Sequence, residues 1–344
     1  MSATHETRPG GVHPRHGPHR PHAGTPSRRP RSLRRTTTHT SLRPDGPLGD
    51  VHLSAVGRDL WTGADGRAQV RARAGVDAVI SFISDRSLRS LAVEPPAGPD
   101  DRLDLLEGRR VSSGFRRTLD EALPAETRAE SLRYQLLDDL PTAVLVSGYA
   151  MGAAGMHPPR RAFDVRAQAD ICSGWATGAT ILVEAEQLGR VPHGTGPVAP
   201  LLVSDADPDA WHSFGPMGPH SMRRWRRIDV WRPVGDGPFA VEAFFRDSHM
   251  DAAGAETIVH EYLVRAALRP GTLEFADIEV DIGVLPWVEC PAAGASATRL
   301  IGTTPHDLRE RIRHEFTGTS TCTHLNDTLR ALAALPYMVR AVGG

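Results

Sequence analysis

The stretch Phe239-Ala240-Val241-Glu242-Ala243-Phe244-Phe245-Arg246 places Phe239, Val241, Ala243 and Phe245 on alternate positions. A period of two is the signature of a strand with one face against a core. The same pattern returns downstream, where Ile258, His260, Tyr262 and Val264 fall on one face. It returns again where Ala276, Ile278, Val280 and Ile282 alternate with Asp277, Glu279 and Asp281. Gly235-Asp236-Gly237-Pro238 and Arg269-Pro270-Gly271 separate the three as turns. After Cys290-Pro291 the period changes. Thr304-Pro305 is a helix start, with Leu308, Ile312 and Phe316 as its stripe. Thr321 or Thr323 is a cap for a last helix with the stripe Leu325, Leu329, Leu332. Antiparallel strands followed by helices predict an α+β layer with helices on one sheet face.

This pattern has a counterpart upstream. Arg34-Arg35 leads to Arg43-Pro44 and Arg58-Asp59, as Arg223-Arg224 leads to Arg232-Pro233 and Arg246-Asp247, with the same nine-residue spacing at the first step. Each stretch ends in a Leu-rich segment with a proline, Pro141 and Pro336. The reading is an internally duplicated antiparallel sheet, followed by packed helices in each half. Residues 34–150 form a first, degenerate repeat and 222–344 a second one. Residues 151–221 connect them, with loop chemistry at Pro158-Pro159 and a hairpin expected where two apolar runs flank Thr177-Gly178. Residues 1–33, rich in Pro, Arg and His, offer little to bury and are expected to be a disordered tail. His5, His13, His16, His19 and His22 within it also fit a metal-catching tract.

Composition bounds the function. With 344 residues the chain can bury a real core. A formal charge of -1 argues against nucleic acid as an obligatory partner, although all 40 basic residues are arginines. Three cysteines do not make a disulfide framework. No apolar run approaches the length of a membrane span, and no leader segment is evident, so the expectation is a cytoplasmic protein without membrane contact. Oligomeric state is not legible.

The chemistry-bearing residues collect in the second repeat, whose Cys290 and Cys322-Thr323-His324 have no cysteine counterpart in the first. Thiolate and imidazole suit zinc or iron, and Asp247 can complete the shell, so Cys290, Cys322, His324 and Asp247 are the expected metal ligands. A helix start at Cys322 is expected to lower its thiol pKa. His260 and Glu261 are the candidate general bases; they point to opposite faces of a strand, and His260 lies on the face beneath the helices. Arg224 and Arg226 are candidate anchors for a small anionic ligand. Each residue also has a plainer role: Cys290 as a small buried hydrophobe, His260 as a core histidine, and the arginines as an ion-paired strand start.

Several motifs carry a family resemblance: Arg223 to Trp231, Phe245-Arg246-Asp247, Glu256 to Tyr262, Leu285 to Pro291 and, most specifically, Cys322-Thr323-His324-Leu325-Asn326-Asp327. With the middle motif Asp170 to Trp175, they resemble domain-of-unknown-function family 2889 in its long actinobacterial form, over roughly residues 33 to 340. That resemblance implies fold and candidate residues, not a reaction. A fold-level resemblance to iron–sulfur scaffold proteins of the IscU/NifU type implies that Cys290 and Cys322 converge at one end of the sheet. The third cysteine position of those scaffolds falls in the stretch Asp247 to Asp251, read as a loop, which has no cysteine. Three functions stay open: a metal-dependent enzyme on a small anionic metabolite, a sulfur or iron–sulfur handling protein, and a non-catalytic binding or structural protein.

Overall fold

A computed structural model describes residues 16–156, 165–233 and 235–343. Its centre is one eight-stranded antiparallel sheet in the order β4-β3-β2-β1-β5-β6-β7-β8. The strands are β1 (Ser32–Leu42), β2 (Val51–Thr62), β3 (Ala68–Ser81), β4 (Ser87–Glu94), β5 (Ser221–Trp231), β6 (Phe239–Met250), β7 (Glu256–Leu268) and β8 (Phe275–Val284). Each half of the chain lays down a four-stranded meander, and the two meet where β1 pairs β5. The fold is α+β. Pro158-Pro159, His5 and His13 lie outside the described residues.

Helices cover one sheet face. From the first half come α1 (Phe115–Ala122), α2 (Pro124–Ala129), α3 (Leu132–Asp138) and α4 (Leu140–Ala153). From the second come α6 (Leu308–Glu315), α7 (Thr323–Ala331) and α8 (Leu335–Gly343), after α5 (Thr180–Leu188) in the connecting segment. Helices α4 and α8 pack on the central strands β1 and β5. Two apolar cores result. One holds Leu53, Val76 and Ile80 under Phe115, Leu119 and Leu136; the other holds Val241, Phe245 and Val264 under Leu325, Leu329 and Leu332.

The opposite face is covered as well. Leu202, Ala210 and Trp211 pack on Trp225, Phe244 and Leu263. Strands β1 and β5 are therefore buried along almost their whole length despite their arginines. Burial of a guanidinium is tolerable when each charge has a partner. Arg34 bonds Asp229 at 2.6 Å, Arg35 bonds Asp59 at 2.7 and 2.8 Å, and Arg224 bonds Asp247 at 2.9 and 3.0 Å.

Several local expectations change. The apolar run after Thr177-Gly178 is helix α5 rather than the second arm of a hairpin. Glu289 accepts from the Thr180 amide and hydroxyl at the helix start, and Gly189, at φ 66°, ends it. A short apolar run fits either period, and here a distant carboxylate decides. Residues 16–31, expected in a disordered tail, begin along β8, the outer edge of the second meander, and run on to Asp207, bonded by Arg28, and to Gly63, bonded by Arg31. The Arg20 amide donates to the Gly283 carbonyl at 2.8 Å and the Leu285 amide to the Pro18 carbonyl at 3.0 Å. Asp247 to Met250 belong to β6 and are not a loop. The residues after Cys290 form a 3-10 segment, Cys290–Leu300, and the cap of α7 is Cys322 itself rather than a threonine.

One irregularity shapes the site. Asp247 pairs with His260 but Ser248 pairs with Ile258, which leaves Val259 as a bulge. Paired residues share a face, so Ile258 sits on the face opposite His260 rather than beside it. A strict period of two cannot register the extra residue.

Candidate metal centre

The site is built on one cross-strand row. Arg224 of β5 stands opposite Asp247 of β6, which stands opposite His260 of β7, all on the helix-covered face. The bulge at Val259 sets His260 in that row. Helix α7 lies above it and contributes His324 and Asp327, one turn apart.

Asp247, His260 and His324 each offer one ligand atom, and these atoms all lie within 4.8 Å of one another. Asp247 Oδ2 is 3.9 Å from His260 Nδ1 and 3.9 Å from His324 Nε2. Ligands bound to one ion at about 2.0–2.2 Å stand roughly 3.0–3.5 Å apart, so the two Asp247 contacts would close by about half an ångström and the imidazole pair by up to about an ångström, with a tilt of the rings. The two imidazoles are stacked, with centroids 3.6 Å apart and planes inclined by 18°.

Electrostatics favours neutral rings. Burial lowers the His324 pKa to about 3, with Arg224 acting in the same direction. Burial also holds His260 well below the ordinary histidine range, helped by His324 and Arg224. A neutral imidazole presents a lone pair, the form a metal needs. His260 Nδ1 is buried and has no hydrogen-bond partner among the described residues. Side-chain exposure is 13% for His260, 14% for His324 and 1% for Asp247, so solvent reaches the site from the imidazole side.

Surrounding groups hold the three residues. Arg224 donates through Nε and Nη2 to the two oxygens of Asp247 and through Nη1 to Asp327 Oδ2 at 3.1 Å. Each Asp247 oxygen keeps a further lone pair. Burial alone would raise the Asp327 carboxyl, but Arg116 and Arg224 hold it down at about 2. On the far side of His324, its Nδ1 is 3.8 Å from Cys322 Sγ, and the Tyr262 hydroxyl donates to that sulfur at 3.2 Å. A proton on Nδ1 directed at the sulfur leaves Nε2 as the free lone pair.

The remaining candidates fall elsewhere. Cys322 adjoins the site but is not in the converging set. Burial raises its thiol pKa, overriding the expected effect of the helix start, even though Tyr262 and two amides favour the thiolate. Cys290 is buried in the same core, and a Cβ on Gly174 would lie 2.6 Å from its Sγ. Burial, followed by Cys322, raises the Cys290 thiol far above its ordinary value. Glu261 is on the opposite sheet face, bound to Arg246 and His22. Arg226 bonds Asp139, and Arg224 is fully engaged by two carboxylates. Neither guanidinium is presented to an external anion.

Residues 222–337 match the model of a family described as a protein of unknown function (DUF2889). The match spans 116 of the chain's 344 residues. It contains β5 to β8, the helices above them and all three converging ligands. No curated protein and no solved structure matches the chain. Among the described residues, no helix is long and apolar enough to cross a membrane.

Tyr262 and Asp327 belong to this site although neither was singled out from sequence. Both had a local signal: Tyr262 is two residues beyond His260 on a strand, and Asp327 is one helical turn beyond His324.

Proposed function

We propose that the region matching DUF2889 holds a divalent-metal site in which Asp247, His260 and His324 are the ligands. The observation that carries this reading is the convergence of two neutral, largely buried imidazoles and one buried carboxylate within 4.8 Å. Two nitrogens and one oxygen suit zinc or iron and leave coordination positions for water or a small molecule. Bound there, the metal would supply Lewis-acid activation of such a ligand. Arg224 orients Asp247, and the Cys322–Tyr262 pair orients His324. His260 thus moves from general base to ligand, and Cys290 and Cys322 leave the ligand set.

Metal content after purification and exhaustive dialysis tests the reading. His260→Ala and His324→Ala should each lose most of the metal, and Cys322→Ser should keep it. Metal lost in Cys322→Ser but retained in His260→Ala would overturn the assignment. The sulfur-handling alternative is favoured by one observation. The Tyr262 hydroxyl donates to Cys322 Sγ at 3.2 Å, and Cys322, Cys290 and Cys172 follow burial in raising its pKa. Visible absorption after reconstitution with iron and sulfide, abolished in Cys322→Ser, would favour that reading over the imidazole site.

We also infer that the two meanders descend from one duplicated unit. The support is coincident irregularity. Asp59 pairs Ala72 and the next pair skips Arg71, as Asp247 pairs His260 and the next skips Val259. A second shift falls at Val79/Ile80 and at Ala267/Leu268, equivalent positions under the same offset. The first half then keeps the arginine–aspartate pair, with Ala72 in the place of His260. An experimental structure with the bulges at non-equivalent positions would sink this inference.

A further inference from the structure

A second site adjoins the first through Arg116, which bonds Asp327, in a cavity of about 430 Å³ bounded by the start of α1, the first turns of α4 and the β3–β4 turn. We propose that it binds the phosphate group of a small phosphorylated molecule, held by Arg86 and Arg117. Four arginines line the cavity (Arg86, Arg116, Arg117 and Arg313) and no carboxylate does. Two of them are already neutralised. Arg116 contacts Asp138 and Asp327 at 3.4 and 3.0 Å, and Arg313 bonds Glu310 at 2.7 Å. Arg86 and Arg117 have no carboxylate within ion-pair distance among the described residues.

Arg86 is fixed at its backbone, and its side chain packs over Phe82. Its amide donates to the Ser81 carbonyl at 2.8 Å, its carbonyl accepts from Val111 at 2.9 Å, and its guanidinium carbon lies 5.3 Å from the centre of the Phe82 ring. Its backbone takes φ 58°, a region costly for a side chain of this size. Partial burial lowers its pKa, as expected for a cation removed from water without a counter-ion. An arriving anion would repay that desolvation.

The rest of the wall suits a phosphate ester. Ser113 and Gly114 line the cavity before α1, and their amides donate to no acceptor among the described residues. Two guanidinium forks and adjacent amides can serve several oxygens of one tetrahedral anion together. The volume exceeds what a lone phosphate fills and lies in the range of small-molecule pockets, about 300–1,000 Å³. Leu145, half exposed, gives the organic part an apolar surface.

Isothermal titration at constant ionic strength tests this, with inorganic phosphate and glycerol phosphate as probes. It should be run on the wild-type protein and on His260→Ala, so that phosphate held by a metal is not counted. Saturable binding is expected in both. Losing one charged hydrogen-bonding fork should weaken it about tenfold or more in Arg86→Gln and in Arg117→Gln. Arg67→Gln, on a side chain that is 87% exposed and beside Asp65, should bind as the wild type does. Arg117 is exposed on α1, so its variant leaves the fold intact even if Arg86→Gln does not. Tighter binding of glycerol phosphate would identify an ester as ligand; equal binding would identify free phosphate. Absence of saturable binding by both probes, or affinities unchanged in Arg117→Gln, would overturn the proposal.

Discussion

Replacing Asp247 with asparagine, beside the same change at Asp59, separates the scaffold from the site. Each aspartate accepts a two-pronged bond from a buried arginine, Arg224 or Arg35. Breaking a buried pair by removing one charge costs about 3–5 kcal/mol when the partner is left uncompensated. Arg35 is in that position, since its other hydrogen bonds go to the Gln135 amide oxygen at 3.0 Å and the Glu130 carbonyl at 3.1 Å, neither a carboxylate. Arg224 keeps the Asp327 carboxylate. Asp59→Asn should therefore sit near the upper end of that range and Asp247→Asn below it, at roughly 1–3 kcal/mol. Domains commonly hold 5–15 kcal/mol, so both variants should fold. Urea titration followed by tryptophan fluorescence reads the stability order, and elemental analysis reads the metal. The expected result is a crossed pattern: Asp59→Asn less stable but metal-replete, Asp247→Asn more stable but metal-poor. Equal metal loss in the two variants would show that metal follows global integrity, and full metal in Asp247→Asn would remove it from the ligand set.

Further outcomes follow from the same structure. The His22 pKa is raised, chiefly by its bond to Glu261, with Asp281 also contributing. Docking of residues 16–31 should thus be strongest below the ordinary histidine pKa of about 6.5 and weaken as pH climbs through the higher folded value; amide exchange at Arg20 reads this, and pH-independent protection would count against it. His212 is held neutral, with its pKa lowered to about 3 by burial and then by Arg58 and Arg223, while its nitrogens bond Thr36 and Thr38. The unfolded chain takes up this proton first, so stability should fall between pH 6.5 and about 3, and His212→Gln should flatten that slope in urea titrations. Gly196→Ala would place a Cβ 1.8 Å from the Ile258 carbonyl oxygen, against backbone. It should cost about 1–3 kcal/mol and free the segment that bonds the β7 edge through Pro197 and Ala199; an unchanged melting temperature would show that the contact relaxes.

What the sequence conveys depends on the range over which the deciding interaction acts. Period two at Phe239–Phe245 and Ala276–Ile282 is local, so strands β6 and β8 were legible. The helix pattern at Leu325, Leu329 and Leu332 is local too. Helix α5 was not, because its start is fixed by Glu289, more than a hundred residues away in sequence. The ordering of residues 16–31 was not, because Arg20 and His22 are held by Gly283 and Glu261. On the proposed metal site, cysteine points to the right helix, but the ligand is the neighbouring imidazole. Sulfur is the softest donor in the chain, yet its burial suppresses the thiolate, while neighbouring His324 is kept neutral by the same burial. Low dielectric penalises a thiolate and a protonated imidazole alike, so one environment disarms one ligand type and prepares the other.

The same logic explains why the arginine–aspartate row can be present in both halves while the candidate ligands occupy one. In the first half, Asp59 is spent on Arg35, and the cross-strand position beyond it is Ala72, which offers no donor. In the second half, Asp327 takes part of the charge of Arg224, and His260 occupies the position beyond Asp247. On the proposed duplication, an ion pair that first served to bury a charged strand gained ligand capacity from a second acid and two imidazoles. Adding only a histidine at the first half's site should not suffice. Ala72→His would stand beside an aspartate whose guanidinium partner has no second carboxylate bonded to it, with no counterpart of His324 assigned above it. Metal content of the Ala72→His variant should therefore equal that of the wild type. An extra equivalent bound would mean that the Asp59 row needs no further ligand, and that the role given to His324 and Asp327 in the second half is mistaken.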